Sequence, residues 1–426
     1  MNSITERPGI GAAPASLAID NLRAVVILLV LAFHSVLAYL NFLPQHPFAF
    51  DEAPYLWRSF PIVDGQRWMG FDLFCAWLDV FLMSFFFLVS GLFAWPSLCR
   101  KGVVAFLQDR ILRLGLPFAV IVLVLMPIAL YPSYLQTAPD PSLAGYWQHW
   151  RNLPFWPCGP VWFLWLLLAG DVLIALVFQL LQGRREMVRQ LSVFARRHPE
   201  RFLGWFFLVS VIAYLPLALI FGPSDWAQRG PFAFQLSRPL HYALYLMAGV
   251  AIGACGIERG LLAADGAIAR RWAWLSVPAA VLLFVWMGLT GWSMSYAGNA
   301  PIWLQTAADL GFVAACCANT FFVLGAAIHF GRCRTAILDS LKINAYGMYL
   351  IHYAFIVWLQ YALLGFGWPA VLKATIVFTG ALLLSWTATA AARRQTLVAS
   401  IIGAERKPRA PRPIPATSPQ APGLVR

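Results

Sequence analysis

Long apolar stretches, separated by short segments that hold most of the charged residues, dominate this chain. Each is long enough to cross a bilayer as a helix, which takes about 20 residues. We place about ten such spans, with edges good to a few residues, at 17–40, 71–95, 110–131, 160–182, 203–222, 237–255, 272–291, 304–328, 344–366 and 369–391. The pattern predicts an all-α polytopic membrane domain over residues 17–391, after a flexible lead (1–16) and before a disordered, basic, Pro/Ala-rich tail (392–426).

The composition excludes a soluble globular protein. Hydrophobic residues make up 60% of the chain and charged residues 12%, and the mean hydropathy is +0.69. A soluble domain would not tolerate so much apolar surface. The seven cysteines show no CxxC pair and no Cys/His spacing suited to zinc, so we predict neither a metal site nor a disulfide framework.

The net charge of +13 reports the orientation of the spans rather than a nucleic-acid partner. Of the 31 Lys and Arg residues, all but six fall in alternate loops or at the span ends beside them; the six are Arg58, Arg67, Arg151, Arg229, Arg238 and Lys373. Because short cytoplasmic loops carry the excess of Lys and Arg, both termini are predicted to be cytoplasmic. An even number of spans agrees with this orientation.

The first span, DNLRAVVILLVLAFHSVLAYL from Asp20, carries Arg23 near its start and His34 well inside. These residues lie on nearly the same helix face, about 20° apart, and roughly 16 Å apart along the axis. Ionisable groups in hydrocarbon cost about 3 kcal/mol or more, so such a stripe indicates a functional site. The residues alone leave two readings open. In the first, Arg23 binds a phosphate-bearing donor and His34 acts as a general base or nucleophile. In the second, Arg23 is an anchor paired with Asp20, and His34 forms a hydrogen bond in helix packing.

Further polar groups follow along the chain. Ser90 stands beside Gly91 in FFFLVSG, Arg110 and Arg113 are three residues apart in RILRLGLPF, and Tyr349 and His352 share a face in YGMYLIH. Arg110 and Arg113 could form a cationic mouth with Arg23, or they could be snorkelling anchors. Small residues usually indicate helix packing, and a Tyr/His cluster more often forms an interhelical hydrogen-bond network than a catalytic group.

Two other sets of residues are expected to have polar or interfacial roles. Asp79, Asp171 and Asp309 lie in or near spans and need a partner or a water-filled cavity. The aromatic residues of an outer loop predict an interfacial belt, although sugar rings also stack on such faces; they are Tyr146, Trp147, Trp150, Trp156 and Trp162.

Taken in order, these motifs resemble the integral-membrane acyltransferase 3 family over nearly all of residues 17–391. The first signature of the family is an arginine and a histidine separated by ten residues, and Arg23 and His34 match it. Asp20 matches the aspartate that often precedes this signature. The remaining matches, in the order of the family, are FFFLVSG at 85–91, the RxxR of Arg110 and Arg113, WFL at 162–164 and YGMYLIH at 346–352. The segments SGLFAWPSLCRKG at 90–102 and RILRLGLPF at 110–118 look most like the branch that includes the periplasmic-glucan succinyltransferases.

The resemblance implies an O-acyltransferase of the plasma (inner) membrane that moves an acetyl or succinyl group from cytoplasmic acyl-CoA to a carbohydrate hydroxyl outside. Acyl-CoA would be a co-substrate, with no permanently bound cofactor. It implies that Arg23, Arg110 and Arg113 hold the CoA phosphates and that His34 is catalytic, with Asp20, Ser90, Tyr349 and His352 in support. His34 would act as general base or would carry the acyl group itself.

A transporter is the alternative from another functional class. Buried His and Asp residues could form a proton relay, and their presence alone does not exclude one. The chain lacks obvious Gly/Pro-broken helices at matching positions in two halves, and the ordered set of motifs favours the enzyme.

Overall fold

The computed structural model describes residues 15–395, which are helical apart from one hairpin and the connecting loops. The elements in chain order are α1 (Ala15–Val36), α2 (Met69–Lys101), α3 (Val103–Leu135), α4 (Leu143–Asn152), α5 (Trp162–Leu180), α6 (Arg185–Arg197), α7 (Pro199–Phe221), β1 (Trp226–Arg229), β2 (Phe232–Gln235), α8 (Pro239–Gly253), α9 (Ala267–Arg270), α10 (Trp272–Met294), α11 (Ile302–Phe330), α12 (Ala336–Ala362) and α13 (Ala370–Ala392). Single 3-10 turns follow α1 and precede α5, and others lie at Leu56–Arg58 and Ile257–Arg259. Most of the predicted lead and tail, residues 1–14 and 396–426, lies outside the described residues.

Each predicted apolar stretch coincides with a helix. Within residues 15–395, eight helices are long and apolar enough to cross a membrane, namely α1, α2, α3, α5, α7, α10, α11 and α13 with their flanking turns. The other two stretches form α8, which is apolar but has only 15 residues, and α12. The protein is thus an all-α polytopic membrane protein, and the number of its crossings stays a prediction.

The connecting loops gather on two opposite faces of the bundle. On one face, Arg58 donates to the Gln228 side chain at 2.5 Å, and the Trp156 amide donates to the Gly230 carbonyl at 3.1 Å. On the other, the Ser16 amide donates to the Glu258 carboxylate at 2.7 Å. Loops that the charge pattern assigns to one side of the membrane therefore contact one another. Which face is cytoplasmic stays a prediction from that pattern.

Glycines let the backbones of α2 and α8 touch. A Cβ added at Gly91 would collide with the carbonyl oxygen of Leu246, and one added at Gly249 would collide with that of Leu88. Small residues bring helices together in membranes because association there depends on close packing rather than on a hydrophobic force. This contact fixes α2 as one wall of the cavity described below.

Candidate active site

A cavity of about 490 Å³ lies between α1, α2, α3, α5 and α12, and residues of β1, β2 and the start of α8 line one end of it. Its walls are mostly apolar. The polar and ionisable side chains that line it are Arg23, His34, Asp79, Ser90, Arg110, Gln235, Arg238, Tyr242, Lys342, Tyr346 and Tyr349. The volume is typical of small-molecule sites.

Three cations, Arg23, Arg110 and Lys342, form what we call the cationic mouth of the cavity. Their helices, α1, α3 and α12, start on the same face of the bundle, and each cation lies about two turns inside its helix. Each has an acidic neighbour. Asp20 lies 3.5 Å from Arg23, Asp171 lies 3.3 Å from Arg110, and Asp339 lies 2.6 Å from Lys342.

Lys342 is the member of the mouth that was not predicted from the sequence. There it served only as one of the basic residues that indicate the orientation in the membrane. A signal existed. Lys342, Ala345, Tyr346 and Tyr349 follow the spacing of one helix face, and all four line the cavity.

Arg113, in contrast, is outside the cavity lining, and its side chain is exposed. Two residues three apart share a face in an α-helix, but Ile111–Gly115 is a π-helical turn, which is wider and rotates Arg113 away from Arg110. The backbone carbonyl of Arg113 accepts a hydrogen bond from the Tyr346 hydroxyl. The RxxR motif therefore supplies one cation to the cavity rather than two.

His34 lies deep in the cavity, about 16 Å along α1 from Arg23. Its Nδ1 is 2.9 Å from the Val30 carbonyl oxygen. A carbonyl can only accept, so this contact assigns the ring hydrogen to Nδ1 and leaves Nε2 as the proton acceptor. The imidazole is thereby held in the tautomer that a general base requires.

His352 packs against His34, with 5.1 Å between the ring centroids. The Nδ1 of His352 lies 2.6 Å from the Tyr349 carbonyl oxygen and so donates to it. Its Nε2, left without hydrogen, is 3.4 Å from Nδ1 of His34 and accepts a weak second bond from it. His352 and Tyr349 thus hold the His34 ring, and the Tyr349 hydroxyl donates in turn to the Pro160 carbonyl at 2.8 Å.

The opposite wall at the depth of His34 can be identified from contacts between α1 and α2. Arg23 stacks on Phe93, and the Asn41 amide donates to Asp72. Because the two helices are antiparallel, the residue about eleven positions after Arg23 in α1 lies at the same depth as the residue about eleven positions before Phe93 in α2. Counting from the two contacts places His34 level with the segment from Asp79 to Leu82, and both of these residues line the cavity.

The three intramembrane aspartates have different surroundings. Asp79 pairs with Arg238, and the fully buried Asp171 pairs with Arg110. Asp309 is buried on α11, and within the described residues it forms no ion pair. Two aspartates therefore have the cationic partner that their positions require.

The outer aromatic residues divide into three groups. Tyr146 is buried against Tyr134, Trp147 and Trp156 are exposed, and Trp162 lines the cavity edge-on to Trp226. The hairpin of β1 and β2, which contributes Trp226 and Gln235 to the lining, was not predicted from the sequence.

A family model described as an acyltransferase domain matches residues 16–390. No curated protein and no solved structure matches the chain.

Proposed function

The chain belongs to the acyltransferase 3 family, and we propose that it moves an acyl group from cytoplasmic acyl-CoA to a carbohydrate hydroxyl on the extracytoplasmic side of the plasma (inner) membrane. The observation that carries the proposal is the single cavity that joins the cationic mouth to His34. Donor binding, acyl transfer and acceptor binding each have a distinct place along it.

The donor phosphates bind at the cationic mouth. Arg23, Arg110 and Lys342 line one end of the cavity, and each forms an ion pair with a neighbouring carboxylate. Arg pairs with phosphate through two parallel N–H groups, and Lys acts as a point charge. The thioester carbonyl of acyl-CoA is far from its phosphates. This separation suits the distance of about 16 Å between Arg23 and His34 along α1.

His34 acts as the general base. Its Nε2 takes the proton of the acceptor hydroxyl while the oxygen attacks the thioester carbonyl carbon. The C–O bond of the new ester forms and the C–S bond breaks. The CoA thiolate then takes the proton from the imidazolium, which restores neutral His34 and yields CoA-SH. The Nδ1–H bond to Val30 keeps the ring in place through both transfers.

The acceptor approaches from the end of the cavity formed by Trp162, Trp226 and Gln235. Aromatic faces beside a side-chain amide are suited to a sugar, whose rings stack and whose hydroxyls hydrogen-bond. Since this end and the mouth belong to one cavity, donor and acceptor can be present together, which favours direct attack over an acyl-histidine intermediate.

The test uses purified protein, labelled acetyl-CoA or succinyl-CoA, and membrane-derived glycans as acceptors. His34→Gln should reduce transfer by about 10² to 10⁴, the usual contribution of a general base, while CoA binding by calorimetry is retained. His329→Gln is the matched control, because His329 lies on α11 outside the cavity, against Trp272. A folded and fully active His34→Gln enzyme would contradict the mechanism. A wild-type enzyme that uses neither thioester would exclude this donor class.

A further inference from the structure

Arg238 and Asp79 form a two-pronged ion pair in the wall of the cavity. Nη2 of Arg238 donates to Oδ2 of Asp79 at 2.7 Å, and Nη1 donates to Oδ1 at 3.1 Å. The Phe312 ring lies 4.8 Å from the guanidinium carbon. In this fork geometry each terminal nitrogen of Arg238 donates one N–H to the Asp79 carboxylate, and Nη1 also donates to the Asp79 backbone carbonyl at 3.3 Å.

The two partners are not equally accessible. The side chain of Asp79 is 46% exposed and that of Arg238 only 6%. Nε of Arg238 is buried and has no hydrogen-bond partner within residues 15–395. The cavity is therefore faced by a carboxylate with its guanidinium behind it. Such a surface accepts hydrogen bonds and repels anions.

The pair lies at the depth where acyl transfer would occur. Asp79 is level with His34, as the contacts between α1 and α2 show, and both residues line the cavity. Four Lys or Arg residues line the cavity within the described chain. Three of these form the cationic mouth, about 16 Å away along α1, and the fourth is Arg238. Among the described cations of the lining, the one at the level of His34 is thus already paired with Asp79 and almost unexposed to the cavity.

We propose that Asp79, held by Arg238, is a specificity-determining residue that makes the enzyme select neutral acyl donors over dicarboxylic ones. The proposal rests on the proposed function, and it identifies the donor as acetyl-CoA or a similar neutral thioester rather than succinyl-CoA. The free carboxylate of a succinyl group lies two methylenes beyond the thioester carbonyl. With the thioester at His34, that carboxylate would enter the space that Asp79 faces.

The size of the effect follows from charge separation. Two carboxylates about 6 Å apart, at an effective dielectric constant of about 20, repel each other enough to change a rate by about 100-fold. The positive charge of Arg238 behind Asp79 offsets part of this repulsion. Acetyl-CoA should therefore exceed succinyl-CoA in kcat/KM by about 10- to 100-fold. This is the opposite of what the likeness to the succinyltransferase branch would imply.

The experiment measures kcat/KM for acetyl-CoA and for succinyl-CoA in the wild type, in Asp79→Asn and in Asp171→Asn. Asparagine keeps the shape of Asp79 and an oxygen for Arg238, but it removes the negative charge and leaves the guanidinium charge unbalanced. The succinyl-to-acetyl ratio should rise by about tenfold or more. Asp171→Asn makes the same change beside Arg110 in the mouth, so it should alter both donors alike and leave the ratio unchanged.

Two results would overturn the proposal, and both differ from a failure of the proposed function. One is a wild-type enzyme that uses succinyl-CoA as well as or better than acetyl-CoA. The other is a folded Asp79→Asn enzyme with an unchanged ratio. If Asp79→Asn does not fold, the wild-type ratio decides alone. If the folded wild type transfers neither group, the proposed function itself is wrong.

Discussion

Replacing Lys342 with alanine should weaken the binding of acyl-CoA far more than replacing Arg113 does. Both residues are basic, and both lie near the same end of the bundle. Lys342 lines the cavity with Arg23 and Arg110, whereas the Arg113 side chain is exposed outside it. A motif-based reading of RxxR predicts the reverse order.

The magnitude follows from the surroundings of Lys342. A phosphate about 4 Å from its ammonium group, at an effective dielectric constant of about 20, is attracted by about 4 kcal/mol. Asp339, which lies 2.6 Å from Nζ, competes for the same charge and lowers this value. A net loss of about 1.5 to 3 kcal/mol corresponds to a rise in Kd of about 10- to 100-fold. For Arg113→Ala we expect less than about threefold, as for a screened surface charge.

Calorimetric titration of each detergent-solubilised variant with CoA provides the measurement, and Lys342→Arg, which keeps the charge, serves as the control. The effect of Lys342→Ala should diminish as the salt concentration rises, because ions screen the contact. Equal losses in Lys342→Ala and Arg113→Ala, or no loss in Lys342→Ala, would refute the assignment of the mouth.

Two further predictions concern stability. Lys373→Met should destabilise the protein by about 3 to 5 kcal/mol, because it leaves the buried Asp64 carboxylate, 2.7 Å from Nζ of Lys373, without its cation. The double variant Asp64→Leu/Lys373→Met should recover part of this loss in thermal unfolding. A single variant as stable as the wild type would contradict the argument. Burial opposes ionisation of Glu258, but the amides of Ser16 and Ala15 outweigh it and lower the pKa of Glu258. The ionised Glu258 thus stabilises the folded protein above the ordinary glutamate pKa, and this stabilisation is lost as the pH falls through the lowered pKa. The difference in Tm between the wild type and Glu258→Gln should therefore decrease from about pH 7 to about pH 3. A difference that stays constant with pH would contradict this.

The helices and the family could be predicted from the sequence because their signals are local. Runs of about 20 apolar residues specify membrane helices whatever surrounds them, since the backbone has no other way to satisfy its hydrogen bonds in lipid. The stripe of Arg23 and His34 follows from helix periodicity alone, and the structure places both in one cavity. The order of the motifs indicated the family that the comparison with residues 16–390 then showed.

The composition of the site was less predictable, because it depends on how each helix is rotated. The π-helical turn at Ile111–Gly115 turns Arg113 out of the cavity, whereas Lys342 faces into it. Successive residues of an α-helix point about 100° apart, so a rotation of part of a turn moves a side chain into or out of the cavity. The spacing of residues shows which of them share a helix face, but it does not show which face is turned toward the cavity.

The sequence by itself determined which segments form membrane helices, in what order they run, and that α1 carries a basic residue and a histidine on one face. Only the tertiary structure decided what surrounds that face. His352 reaches His34 across 318 residues, and Arg238 reaches Asp79 across 159. Periodicity fixes positions within a helix, but contacts between distant helices depend on packing, on close approaches such as that of Gly91 to α8, and on the pairing of buried charges.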